Sequence, residues 1–280
     1  METRLAVPFS VPLLGDPFTT VKNPMIFSSI DFFVSVTVRS VPLPGPELIV
    51  PIFNPQLRRT IAQILKKRGI SGQLLISPQP GGKNENDFLA TASLLYIGGI
   101  DNSESGLPAI LDRVDDRAFF ILSRALTSLS GGFVVCRRGE GLISLDGCLD
   151  ASIHLKLKGS VKNTRPQLNL FSSLFPDLAE PLWHLTGHLV LEGGKAIRRG
   201  DSETMGKLLN LESSLAQSVG LVKIGDLCRT ARLKGSYGKK VMCSNAMRGE
   251  LILAPKEILP LPSYQSFHFT QEGVHEVEKC

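Results

Sequence analysis

The chain has 280 residues, 42% of them hydrophobic, 20% charged and 6% aromatic, with a formal net charge of +5. That length and apolar content can bury a sizeable core, in one large domain or two medium ones, and they exclude bulk disorder. The basic balance is mild and contains no run of five like charges, which disfavours a dedicated nucleic-acid surface. In chain order, residues 5–14 are apolar but broken by Pro8 and Pro12, a pattern for an edge strand that enters a loop at Gly15-Asp16. After Pro24, residues 25–38 end in a β-rich run from Phe33 to Val38. Five prolines from Pro42 to Pro55 mark loops. Leu57, Ile61, Ile64 and Leu65 then share one face of a predicted helix over 56–68, stopped by Gly69. A strand at 73–76, a Pro- and Gly-rich turn at 77–82 and a helix over 86–96 follow. A helix is predicted over 112–129, then a turn at Gly131-Gly132, a strand at 133–137 and further strands within 141–158.

The polar stretch 159–169 is the expected boundary between an N-terminal domain, 1–160, and a C-terminal one, 165–280. Beyond it, helices are expected at 178–192, 202–218 and 224–234, followed by Gly235-Ser236-Tyr237-Gly238 and a strand-like run at 251–254. The tail from Lys256 shows little periodicity. Strands and helices are interspersed without regular βαβ spacing, so the class is α+β rather than a doubly wound sheet.

The five cysteines are scattered and include no CxxC pair, which reads as reduced thiols. No basic region leads into an apolar run at the start, and no apolar stretch is long enough to span a bilayer. The expectation is a cytoplasmic protein without membrane contact. His184 and His188 stand i, i+4 on a predicted helix, but no third metal ligand accompanies them. Asp150, Ser152 and His154 show no nucleophile-elbow motif.

The run Val7-Pro8-Phe9-Ser10-Val11-Pro12-Leu13-Leu14-Gly15-Asp16 resembles the opening of mevalonate kinases, with Pro8, Gly15, Pro24, Ile26, Ile30 and Asp31 in matching places. Ser10 stands where a lysine is usual, Asp16 where a glutamate is, and Pro17 where a histidine is. Ser128-Leu129-Ser130-Gly131-Gly132-Phe133-Val134 is similar to a segment of the related mevalonate-pathway decarboxylases, with Thr127 in place of their arginine. Leu208-Leu209-Asn210 and Gly235-Ser236-Tyr237-Gly238-Lys239-Lys240 resemble the final helices and lysine-bearing segment of the same group. By this shared motif order the chain resembles the GHMP small-molecule kinase superfamily. The resemblance implies a two-domain GHMP-kinase-like α+β fold.

The same resemblance implies a phosphate-binding loop at 78–92, where glycines and a helix N-terminus hold ATP phosphates. Gly81, Gly82, Lys83, Asn84 and Asn86 are the nucleotide-binding candidates there, joined by Lys240. The family's Gly-Leu-Gly-Ser-Ser core is absent, and a capped surface turn is the competing reading. Only Gly249 remains from the Gly-rich turn that follows the lysine in that family. The catalytic aspartate that orients or deprotonates the acceptor hydroxyl is replaced by Arg124. Asp16 and Asp116 are the remaining catalytic candidates, and Ser10, Arg124 and Ser128 the substrate-binding ones. No metal-binding residues are assigned. Two functions follow as expectations. One is phosphorylation of a small mevalonate-like hydroxy acid, with or without coupled decarboxylation, using ATP and Mg2+. The other is a GHMP-fold protein without phosphotransfer that binds a ligand or partner. The expected partners are a small-molecule substrate or nucleotide, with a homodimer allowed.

Overall fold

The structure, a computed structural model, describes residues 2–15, 23–43, 47–77, 83–100, 107–157, 165–221, 235–243, 247–260 and 262–277. Strands β1 (Glu2–Leu14) and β2 (Met25–Val41) form a long antiparallel pair. Pro8 and Pro12 have no N–H to give to a ladder, and the register shifts fall just after them, between Pro8 and Phe9 and between Pro12 and Leu14. The expected edge strand is covered at Leu5 and Ala6 by β11 (His275–Glu276). The predicted tail from Lys256 therefore returns to the first sheet, and its strands were hidden because their partners lie far away in sequence.

β2 is shared along its length. Its first residues pair with β5 (Phe133–Arg137) and its last with β4 (Gly72–Ser77). β3 (Leu48–Ile49) runs parallel to β4, and β6 (Gly141–Leu145) pairs with β5. A second sheet has the order β10 (Gln265–His268), β7 (Ser152–Leu157), β9 (Arg248–Ala254), β8 (Gly238–Cys243). β7 precedes the polar stretch at 159–169 yet pairs only within this second sheet. The two sheets are therefore not consecutive blocks of sequence.

Helix α1 (Pro55–Lys67) starts where sequence reading places it, since Asn54 accepts from the Leu57 N–H and Pro55 needs no donor. α2 (Lys83–Ile97) begins earlier than its predicted start. The predicted helix over 112–129 is in fact two, α3 (Leu107–Arg113) and α4 (Asp116–Ser130). Asp115 breaks it by capping the Ala118 N–H at 2.8 Å, and Gln56 bridges the gap by donating to Arg113 O and accepting from Asp115 N. α5 (Arg165–Leu174) and α6 (Pro176–Arg199) follow, the latter continuing through Pro181 and well beyond the predicted 178–192. Gly200, left-handed at φ 69°, ends α6, and Asp201 caps α7 (Ser202–Ser218). The helix expected at 224–234 lies outside the described residues. A single apolar cluster runs from the first sheet through α2 and α4 to Ile153, Leu251 and Leu253 of the second.

Helix α7 and strand β8 touch through glycine. A Cβ on Gly206 would stand 2.3 Å from the Tyr237 carbonyl carbon, and one on Gly238 would stand 1.9 Å from Gly206 O. Gly206→Ala is expected to destabilise the protein by about 3 kcal/mol, the upper part of the overpacking range. Gly194 on α6 has open space, its nearest neighbour being Leu145 Cδ1 at 3.7 Å. Gly194→Ala is expected to stabilise by up to about 1 kcal/mol through helix propensity. Urea denaturation of the two variants beside the wild type measures both effects.

Candidate functional site

Three of the sequence-predicted residues meet where β1 crosses α4. Arg124 Nε donates to Ser10 O at 3.0 Å, and Ser10 Oγ donates back to Arg124 O at 3.0 Å. One helical turn later Ser128 Oγ donates to Pro8 O at 2.6 Å. All three side chains are buried. The two serines thus bind backbone, and the arginine head is the part of the cluster with donors to spare. Its Nη1 and Nη2 have no hydrogen-bond partner among the described residues. The guanidinium carbon lies 4.7 Å from the Phe9 ring centre and 4.2 Å from that of Phe88 on α2. Burial pushes the guanidinium down to about 9, and the Glu85 carboxylate pulls it partly back up. The group therefore stays cationic at neutral pH.

Asp116 sits two turns upstream on α4, about 12 Å along the helix axis. Its carboxylate is held at 2.9 Å by Arg138, whose guanidinium also reaches Val114 O and stacks over Phe119. Lys240, read from sequence as a nucleotide-binding lysine, is enclosed. Its ammonium pairs with Glu212 at 2.6 Å and donates to Leu13 O at 3.1 Å. Glu212 Oε1 also accepts from Gly15 N at 2.5 Å. The pair clasps the end of β1, just before the chain reaches Asp16. Burial raises the Glu212 carboxyl, and the Lys240 ammonium opposes that rise. Lys83 opens α2, its ammonium 5.9 Å from the Phe53 ring centre. Asn86 Oδ1 is buried and has no partner among the described residues. Asp16, Gly81, Gly82 and the Asn84 side chain lie outside the described residues.

Sequence reading missed three participants. Phe9 and Phe88 wall the Arg124 head, with ring centres 5.6 Å apart and planes at 81°. Asp87 is fully buried and accepts from the backbone N–H groups of Phe53 and Asn54, at 2.5 and 2.9 Å. This sets the entry to α1, while burial pushes the Asp87 carboxyl up. An aspartate followed by the apolar run Phe88-Leu89-Ala90 was the available signal, because a carboxylate that begins a buried face needs internal donors.

The weaker candidates have structural explanations. His184 faces solvent 3.7 Å from Glu180, and with His188, Asn23 and Arg137 it borders an open pocket of about 200 Å³. An arginine beside the two imidazoles disfavours a cation there. No group of three metal-ligating side chains exists among the described residues. Asp150 pairs with Lys256 at 2.7 Å rather than with His154. His154 Nε2 lies 2.9 Å from Ser152 Oγ, which has the Ala254 and Pro255 carbonyls, both at 3.3 Å, as acceptors for its own proton. With Asp150 turned away to Lys256, no carboxylate orients the ring, so the pair lacks the third member that a nucleophilic serine needs. Burial pushes the Cys136 thiol up to about 12, so it is inert at neutral pH.

No family model matches the sequence, and no curated protein matches it either. Solved structures do. L. major mevalonate kinase in complex with R-mevalonate superposes with a TM-score of 0.66 at 16% identity, covering 96% of each chain. The mevalonate diphosphate decarboxylase from Enterococcus faecalis, studied for its ATP binding, gives 0.65 at 12%, covering 100% of this chain and 99% of its own. The complex of MDDEF with MVAPP, AMPPCP and magnesium gives the same TM-score, 0.65, and the same coverage. At such identities the likeness shows the fold: this chain has the α+β architecture of the GHMP kinases over nearly its whole length. Among the described residues, no helix is long and apolar enough to cross a membrane.

Removing one member of an enclosed ion pair leaves an uncompensated charge. Lys240→Met is expected to cost about 3–5 kcal/mol in chemical denaturation, and Lys240→Met with Glu212→Leu to recover most of it. Burial holds the His154 imidazole below its ordinary value of 6.5, with repulsion from His268 adding to the effect. A depressed imidazole contributes stability that is complete above that ordinary value and lost as pH falls through the lowered one. The wild-type melting temperature is therefore expected to fall more steeply from about pH 7 to about pH 5 than that of His154→Gln.

Proposed function

We propose that this chain is a GHMP-fold protein that binds a small anionic metabolite without transferring a phosphoryl group to it. The observation that carries the reading is Arg124, cationic and fully buried, at the place aligned with the family's catalytic aspartate. A guanidinium cannot take a proton from an acceptor hydroxyl, and general-base assistance is worth about 10²–10⁴ in rate. Two further placements support it. Asp116 is bound to Arg138, and Lys240 is paired with Glu212. Ser10, Arg124 and Ser128 remain the residues proposed to surround the ligand.

A second reading is favoured by the coverage of the mevalonate kinase and decarboxylase structures, 96–100% of this chain. In that reading the chain uses ATP and Mg2+ to phosphorylate a mevalonate-like hydroxy acid. Asp16 would orient the acceptor, while Gly81, Gly82, Lys83, Asn84 and Asn86 would receive the phosphates.

Incubation with radiolabelled ATP, magnesium and R-mevalonate, mevalonate phosphate or mevalonate diphosphate decides between them. The expected result is no labelled product and no ADP above the protein-free background. Turnover that disappears in Asp16→Asn would establish the kinase reading instead.

A further inference from the structure

Helix α1 carries four exposed cations, Arg58, Arg59, Lys66 and Lys67, and no carboxylate. Leu57, Ile61, Ile64 and Leu65 turn its opposite side into the core. Arg59 and Lys66, two helical turns apart, line up on the outward side about 10 Å from each other, with Arg58 and Lys67 on its flanks. None of the four side chains has an ion-pair or hydrogen-bond partner among the described residues. Elsewhere on the surface, Arg39, Arg137, Lys195, Lys207 and Lys256 are each held by a carboxylate at 2.6–2.8 Å. Lys66 and Lys67 complement the C-terminal end of the helix dipole, but Arg58 closes the first turn, where that dipole opposes a cation. Neither arginine has an acidic residue three or four positions away to offset this. Asp115, beside the start of α1, is committed to the Ala118 N–H. Repulsion among unpaired like charges destabilises a helix surface, and an anionic partner laid on it is a physical reason to keep them.

We propose that the outer face of α1 docks the protein on an anionic bilayer surface, with lipid headgroups against Arg58, Arg59, Lys66 and Lys67. Three features select a membrane over other polyanions. Several cations clustered on the polar side of an amphipathic helix match the potential of anionic lipids, which acts within a Debye length, about 8 Å at physiological salt. The face is the convex outside of a helix and so meets a plane, whereas a single-stranded nucleic acid is held in a groove with aromatic platforms. Phe53, two residues before the helix, is 49% exposed, and Lys83 stands 5.9 Å from its ring centre. An exposed ring beside a further cation suits the boundary between headgroups and acyl chains. Peripheral docking of this kind needs no spanning helix, and the sequence expectation of no membrane contact rested on the lack of one.

The test is co-sedimentation of the full chain with vesicles of phosphatidylcholine alone and of equal parts phosphatidylcholine and phosphatidylserine. Binding is expected to the anionic vesicles only, and to vanish in about 1 M salt, where the Debye length shrinks to about 3 Å. Each cation near such a surface contributes about fivefold in partitioning. Arg58→Gln/Arg59→Gln/Lys66→Gln/Lys67→Gln is therefore expected to bind about 100-fold or more weakly, and Arg59→Gln/Lys66→Gln about tenfold or more weakly. All four sites are exposed, so neither variant is expected to melt below wild type. A control, Lys195→Gln/Arg198→Gln/Arg199→Gln/Lys207→Gln, removes the same charge from α6 and α7 and is expected to bind as wild type does. Phe53→Ser is expected to weaken binding several-fold.

The proposal is overturned if the anionic vesicles bring down no protein, or if the α1 variants bind like wild type. It is also overturned if the control loses as much binding as the fourfold α1 variant, which would assign the effect to overall charge. Binding to an oligonucleotide or to polyglutamate that the α1 variants lose, without vesicle binding, would overturn it in favour of a different polyanion. Phe53→Ser binding as well as wild type would overturn the part given to the ring.

Discussion

Two reciprocal hydrogen bonds, each 3.0 Å long, join Ser10 to Arg124 and so fasten β1 to α4. Much of the first sheet's order follows from this clasp. β1 carries two prolines, and its Pro8 and Ser10 carbonyls accept from the Ser128 and Arg124 side chains of the helix. α4 then lays Phe120 against Phe27 of β2, with ring centres 5.3 Å apart, and its last turn delivers Gly131 into β5. A strand poor in donors is thus held by side chains from a helix. One of those side chains, Arg124, is a buried cation whose Nη1 and Nη2 have no partner among the described residues.

The far end of β1 is held differently. There the Lys240–Glu212 pair grips Leu13 O and Gly15 N from the second sheet and α7. Residues placed by motif order into one cleft are therefore divided between two jobs. Lys240 joins the halves of the molecule, and Arg124 keeps an edge free. That division underlies the reading of a binding protein. Asp116 and Lys240 are both balanced by the chain itself, through Arg138 and Glu212.

Local signals carried the sequence reading where local physics decides. α1 and α7 were visible from their apolar spacing, and the structure adds Asn54 and Asp201 as their caps. The break at Asp115 was not, because an aspartate inside a helix and one that caps a new helix look alike until its carboxylate finds the Ala118 N–H. β10 and β11 were missed since both are short and pair with strands near the opposite end of their sheets' sequence. Motif order grouped Ser10, Arg124 and Ser128, which lie where the long elements β1 and α4 meet. The ion pair on Lys240 was illegible, because nothing in a helical glutamate such as Glu212 announces a partner on a distant strand. The aromatic wall was missed. Phe9 lay within the quoted opening motif without a role, and Phe88 looked like any apolar helix residue.

Gly206 and Gly238 add a historical dimension. Each occupies space that the other's missing side chain leaves open, so a larger residue at either place meets main chain rather than a movable side chain. Drift at one of them cannot be rescued by a change at the other, as two added methyl groups crowd the contact further. The seam between α7 and β8 is in that sense frozen. Any sequence that keeps this fold must keep both positions bare, whatever it does at the sites along β1.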